Sequence, residues 1–251
     1  MTPPIATQLT GRSIVVFGGG SGIGLAAATL AQAAGAQVTI ADLNQDASHL
    51  PLVTSGQCRF AACDVTDSLA VRRVLAEVVT LNGRLDGAAT TVGGARIRTD
   101  LAVDMDYWDR EIRFNLSSAY IVAMSAIEIM KPAGAGSIVT TSSSFGVSPG
   151  ADRVAYSAAK AGVIGLTRSL AAATARLGLR VNCVAPGLTD TPRARRMTGS
   201  AEAFAKVAAS KPQGRIATTE EAASAILFLL SDAASAMTGQ VIHVNNGSVM
   251  P

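Results

Sequence analysis

The sequence predicts an α/β fold: a doubly wound parallel sheet with helices on both faces. Three observations carry this. Short apolar runs of strand composition alternate with longer stretches of helical periodicity along the chain. A glycine cluster separates the first strand from the first helix. The 251 residues continue without a linker or long low-complexity segment, which suits a single large domain over 1–251.

Ser13-Ile14-Val15-Val16-Phe17 reads as a buried strand running into Gly18-Gly19-Gly20-Ser21-Gly22-Ile23-Gly24. A helical stretch over 25–34 follows and stops at Gly35, and 38–41 is the second strand. Strand, glycine turn, helix and strand make a Rossmann-type βαβ unit. Backbone N–H groups and the helix dipole favour a pyrophosphate at Gly18, Ser21, Gly22, Ile23 and Gly24. A glycine run alone is often a flexible turn; its place between strand and helix is what favours a dinucleotide. Asp42 ends the second strand, where an acid accepts hydrogen bonds from an adenosine ribose. Its carboxylate repels a 2′-phosphate, and neither Leu43 nor Asn44 supplies a cation, so the cofactor read here is NAD(H). The plainer alternative is a solvated aspartate at a strand end.

The next strand, 59–63, ends at Asp64-Val65, a pair placed to meet the adenine. Residues 66–82 form a helix with Leu69, Val71, Val74, Leu75 and Val78 along it, and 85–92 is a small-residue strand. A single long helix is expected over 107–130. Asn115 lies in its middle, an unfavourable position unless the amide has a local task. Another buried strand, 136–141, ends in Ser142-Ser143-Ser144. A helix over 154–177 is closed by Gly178. Strands follow at 180–185, before Pro186-Gly187, and at 241–244. The intervening stretch, about 188–212, reads as a mobile substrate loop. Ligands of such a sheet collect at the carboxyl ends of its strands.

Tyr156 and Lys160 are four residues apart, so on a helix both side chains leave one face. A phenol of pKa about 10 needs roughly 3–4 kcal/mol of preference for the phenolate to titrate about 2–3 units lower. One ammonium at about 4 Å supplies that at an effective dielectric of about 20. The pair alone is weak, because most such pairs are helix-surface neighbours.

Composition narrows the function. The net charge of +3 is mild and scattered, aromatics are 4%, and no basic run tracks phosphates, so nucleic acid is not expected. Residues 13–41 carry no charge, but their glycines, Gln32 and Gln37 divide them into short elements, so no membrane span is read. The first residues, with Pro3 and Pro4, lack the pattern of a signal peptide. Three cysteines without a C-x-x-C pair point to reduced thiols and a cytoplasmic setting. Cys63 and Cys183 read as core. No metal-ligand spacing appears, and His49 and His243 are read as structural.

Taken together, the motifs resemble the short, single-domain branch of the short-chain dehydrogenase/reductase family over essentially the whole chain. Gly18-x-x-x-Gly22-x-Gly24 matches its cofactor loop, and Asn115, Ser143, Tyr156 and Lys160 match its catalytic tetrad. Ser143 is chosen over its neighbours because it lies thirteen residues before Tyr156. Pro186-Gly187 with Thr189 resembles the segment that holds the nicotinamide carboxamide. Two departures stand out. Phe17 replaces the usual threonine, and Thr90-Thr91-Val92-Gly93 replaces Asn-Asn-Ala-Gly. The first asparagine usually ties the sheet together, so its bonds must be remade or lost at about 1 kcal/mol each.

The resemblance implies that Tyr156 exchanges the proton of a small secondary alcohol or ketone while NAD(H) exchanges hydride. Lys160 would lower the tyrosine pKa and bind the nicotinamide ribose, Ser143 would hold the substrate oxygen, and Asn115 would hold a water. It also implies a homotetramer formed through two long helices and the last strand. Two other readings stay open: a reductase of carrier-bound 3-oxoacyl thioesters, and a silent NAD(H)-binding sensor or scaffold. Arg193, Arg195 and Arg196, with Arg96 and Arg98, either grip an anionic substrate or face water.

Overall fold

The computed structural model describes residues 9–100 and 102–251; the Pro3-Pro4 segment considered above lies outside them. Seven strands form one sheet: β1 (Ser13–Phe17), β2 (Gln37–Asp42), β3 (Cys58–Ala62), β4 (Gly87–Thr90), β5 (Gly136–Thr141), β6 (Leu179–Pro186) and β7 (Val241–Val244). Their order is β3-β2-β1-β4-β5-β6-β7, and every neighbouring pair is parallel. The chain winds outward from β1 to β3, then crosses back to lay β4 on the other side of β1. That reversal opens a crevice at the carboxyl ends of β1 and β4.

The helices are α1 (Gly22–Ala33), α2 (Pro51–Thr54), α3 (Ser68–Asn82), α4 (Met105–Ile112), α5 (Ser118–Met130), α6 (Val154–Thr174), α7 (Pro192–Thr198), α8 (Ala201–Ala209) and α9 (Thr219–Leu230). Side chains along β1 alternate between faces. Ile14 and Val16 join α1 and α9 through Ala27, Ala31, Ile226 and Leu230. Val15 and Phe17 join α3 and α5 through Val71, Leu75, Val122 and Ala126. Both faces are covered, which is why β1 is an unbroken apolar run and not an alternating one.

Several boundaries differ from expectation. α1 begins at Gly22, so Gly22-Ile23-Gly24 is its first turn and not part of the loop before it. β4 covers only 87–90 of the expected 85–92. The expected helix over 107–130 is α4 and α5 joined by a π turn at Arg113–Ser117 that contains Asn115. The stretch read as a mobile loop contains α7 and α8, capped by Thr191 and Ser200. α9 was not anticipated; a capping box between Thr218 and Glu221 starts it. Leu69 is exposed while Val71, Val74, Leu75 and Val78 are buried, and Trp108 is 37% exposed.

Cys58, Cys63 and Cys183 are buried free thiols. Burial pushes Cys58 and Cys63 up to about 11. Since the thiolate is the reactive form, alkylation of the native chain at pH 8 should run at least about 100-fold slower than of the unfolded chain. Timed iodoacetamide labelling read by mass spectrometry checks this.

Candidate active site

The carboxyl end of β5 delivers Ser142-Ser143-Ser144 to the crevice, and α6 presents Tyr156 and Lys160 one turn apart. Lys160 is 2% exposed. Its Nζ donates to the Thr141 carbonyl at 2.9 Å, and the Ser142 hydroxyl donates to the Lys160 carbonyl at 2.7 Å, pinning α6 to the end of β5. The half-buried Tyr156 ring has Lys160 Nζ 5.9 Å from its centroid and Phe145 edge-on at 6.3 Å. The Ser143 hydroxyl accepts from the Phe145 N–H at 3.2 Å.

Burial raises the Tyr156 pKa, opposed by Ser143 and by the charges of Arg193 and Arg153. Burial also lowers Lys160 to about 8. The spacing argument had Lys160 depressing the tyrosine. In the chain by itself desolvation dominates, and the ammonium is taken up by a carbonyl. Holding this ammonium in the interior costs stability in full below pH 8, and the cost fades as pH rises from 8 to 10.5. Titrating the Lys160 side chain by 13C NMR should give a midpoint near 8; a midpoint near the ordinary lysine value of about 10.4 contradicts this environment.

Asn115 lies in the π turn, 1% exposed. Its Oδ1 accepts the Gly94 N–H at 2.8 Å, and its Nδ2 donates to the Gly94 carbonyl and to Glu111 Oε2, both at 3.3 Å. This is the local task that places an asparagine mid-helix, and π turns recur at functional sites for such reasons. Glu111 was missed from sequence. It is 2% exposed, raised in pKa by burial, and 3.9 Å from Arg96 Nε. Its position four residues before Asn115 was the available signal.

A cleft of about 990 Å³ crosses the carboxyl ends of the strands. Gly18, Ser21, Gly22, Ile23, Gly24, Asp42, Asp64, Val65, Ser143, Tyr156, Lys160, Pro186, Gly187 and Thr189 all line it, and Asn115 stands behind it through Gly94. The Asp42 carboxylate accepts the Gly20 N–H at 2.8 Å and the Asn44 N–H at 2.9 Å, which fixes its direction at the cleft edge. In the altered signature the Thr91 hydroxyl reaches the Phe17 carbonyl at 3.0 Å and the Gly18 carbonyl at 3.1 Å. β4 keeps its pairing with β1 and β5. Two further hydroxyls lining the cleft, Thr141 Oγ1 and Ser248 Oγ, are buried without a protein partner. The donor-rich turn, these two hydroxyls and the glycine cradle fit a nicotinamide dinucleotide.

The cradle is tight at Gly24, where a Cβ would stand 2.1 Å from the Gly18 carbonyl oxygen and 2.4 Å from Thr91 Oγ1. Both neighbours are held, so Gly24→Ala should destabilise by about 1–3 kcal/mol. At about 2–4 °C per kcal/mol this is a visible drop in Tm, accompanied by weakened NADH binding. A thermal melt with and without NADH measures both.

The arginines divide. Arg195 pairs with Asp190 at 2.6 Å through two nitrogens and stacks on Phe204, and Arg98 pairs with Asp100 and Asp104. Arg193, on α7, lines the cleft, whereas Arg195, Arg196, Arg96 and Arg98 are not among its lining residues. Among the described residues no cluster of His, Cys, Asp and Glu could hold a metal ion, and no helix is long and apolar enough to cross a membrane.

A family model described as enoyl-(acyl carrier protein) reductase matches residues 18–248. The chain is 39% identical to a cis-4-hydroxycyclohexanecarboxylate dehydrogenase of Sinomonas cyclohexanicum, over 94% of this chain and 96% of that one. It is 34% identical to the 3-oxoacyl-(acyl-carrier-protein) reductase FabG of Thermotoga maritima, over 97% and 100%. The crystal structure of gox2181 superposes with a TM-score of 0.90 at 32% identity, covering 97% of each chain. On these matches, and on the site just described, the chain belongs to the short-chain dehydrogenase/reductase family.

Proposed function

We propose that the chain is an NAD(H)-dependent dehydrogenase/reductase of a secondary alcohol borne on a small ring. One observation carries the reading: Ser143, Tyr156 and Lys160 meet in the same cleft whose other end is Asp42. Gly18, Ser21, Gly22, Ile23 and Gly24 would hold the pyrophosphate, Asp42 the adenosine ribose, Asp64 and Val65 the adenine edge, and Pro186, Gly187 and Thr189 the carboxamide. When bound, the dinucleotide accepts or supplies the hydride. Ser143 orients the substrate oxygen toward the phenol, and Tyr156 takes its proton in oxidation and returns it in reduction. Lys160 would hold the nicotinamide ribose, and Asn115 fixes the Gly93-Gly94 segment that borders it.

The ring-alcohol class rests on the Sinomonas cyclohexanicum relative and on Ile97, Phe114, Val92 and Met197, which give the substrate end of the cleft apolar walls. A 340 nm screen of cyclic and acyclic secondary alcohols, with both cofactors, tests it. Turnover confined to acyclic substrates would overturn the ring assignment. The runner-up is reduction of carrier-bound 3-oxoacyl thioesters, supported by the matched family's description and by the FabG relative. Preference for NADPH and an acyl thioester would establish it.

The reading includes a cytoplasmic setting, supported by three unpaired thiols. It also includes a tetramer through α5, α6 and β7. Half-exposed Tyr120 on α5 and exposed Ala158, Ala161 and Gly165 on α6 support that surface. Light scattering should give four times 25.5 kDa.

A further inference from the structure

We infer that Arg193 is a specificity-determining residue that binds the carboxylate of an anionic ring substrate; this rests on the dehydrogenase reading above. The guanidinium lies flat against Gly94. A Cβ there would be 2.2 Å from Arg193 Cζ and 2.3 Å from Nη1, so a side chain at 94 would displace it. Nη2 donates to the Ala95 carbonyl at 2.9 Å, which fixes the plane of the fork. The same Gly94 gives its N–H to Asn115 Oδ1, so this backbone segment registers the guanidinium against the catalytic group. Its charge is felt at the Tyr156 phenol, where it acts ahead of Arg153.

Among the described residues Arg193 has no counter-ion in contact, unlike the other cleft arginine, Arg153, and unlike Arg195 and Arg98. Arg153, which also lines the cleft, is held by Asp152 at 2.6 Å and lies over Phe145. Arg195 is clamped by Asp190, and Arg98 by Asp100 and Asp104. Among the described residues no carboxylate lies within ion-pair distance of Arg193, and the buried Glu111 is engaged by Asn115 and Arg96. A planar fork held at one nitrogen by the Ala95 carbonyl, exposed to the cleft and without an ion-pair partner, with only the buried Glu111 in electrostatic reach, suits bidentate capture of a carboxylate. Ile97, Phe114 and Met197 in the same cleft supply the surface for an apolar ring. The substrate class is therefore a ring bearing both a secondary hydroxyl and a carboxylate.

The test compares the full chain with Arg193→Met and Arg193→Lys, using NAD⁺ with 4-hydroxycyclohexanecarboxylate and with its methyl ester. The native chain should favour the carboxylate by about 10–100-fold in kcat/KM. Arg193→Met should erase that preference through KM, while the loss of its charge near Tyr156 should change kcat for acid and ester by the same factor. Arg193→Lys, with the charge but no fork, should fall between. A second readout needs no turnover: cyclohexanecarboxylate with NAD⁺ should raise the Tm of the native chain and not of Arg193→Met. Equal use of acid and ester by the native chain, equal loss of kcat/KM for both in Arg193→Met, or equal stabilisation of both chains overturns the inference. Arginine-dependent stabilisation without NADH formation from either alcohol would sink the dehydrogenase reading and leave carboxylate binding by Arg193 standing. Neither stabilisation nor turnover overturns both.

Discussion

Tyr156→Phe should lower kcat for ring-alcohol oxidation by about 10²–10⁴-fold, the contribution typical of a positioned acid–base group, and leave NADH binding intact. The substitution removes one oxygen. The edge-on packing with Phe145 and the helix that carries Lys160 are kept, so neither the fold nor the cofactor end of the cleft changes. The proton that leaves the substrate oxygen then has no positioned acceptor, because the neighbouring Ser143 hydroxyl is too weak a base to take it. Stopped-flow turnover and NADH fluorescence titration on the same preparation separate the two effects. Turnover close to that of the native chain would remove Tyr156 from the mechanism.

The second large effect concerns the cofactor. Asp42 is fixed by two backbone N–H groups at the cleft edge, and the neighbouring Leu43 is 70% exposed and carries no charge. Like charges at about 4 Å and an effective dielectric of about 20 repel by about 4 kcal/mol. Solvent screening at this exposed edge reduces that, so a preference for NAD⁺ over NADP⁺ of about 100-fold is expected in kcat/KM. Asp42→Asn with Leu43→Arg should reverse it, since the amide keeps an acceptor for the loop and the guanidinium meets the 2′-phosphate. Paired kcat/KM measurements with the two cofactors check this; a native preference for NADP⁺ would contradict the assignment.

The parts of the fold that were legible are those whose signals are local. Ser13–Phe17, the glycine turn and Asp42 follow one another within thirty residues, and the period-free apolar run of β1 reports burial on both faces. The meeting of Ser143, Tyr156 and Lys160 in one cleft was legible because Tyr156 and Lys160 share one helix and Ser143 follows the end of β5. α9 carries a local signal too, the Thr218–Glu221 capping box ahead of an apolar run. The same holds for Thr191-Pro192 and Ser200, whose caps start α7 and α8.

Other features depend on long-range placement. Three arginines lie within four residues on α7, and which one lines the cleft is set by the phase of that helix against Gly94. Thr91, in the altered signature, bonds carbonyls of β1 and the glycine turn more than seventy residues away. The Tyr156 pKa depends on placement as well: spacing gives the distance to a charge but not the desolvation of the phenol, which here raises it.

The most direct test of the central claim follows the hydride itself. The chain is incubated with NAD⁺ and a ring alcohol carrying deuterium at the carbinol carbon, and the reduced nicotinamide is analysed by mass spectrometry. Hydride transfer from that carbon predicts singly deuterated NADH from the native chain, with formation slowed in Tyr156→Phe as far as kcat is. Unlabelled NADH, or no reduced cofactor from any ring alcohol while NADH binds, would contradict the account.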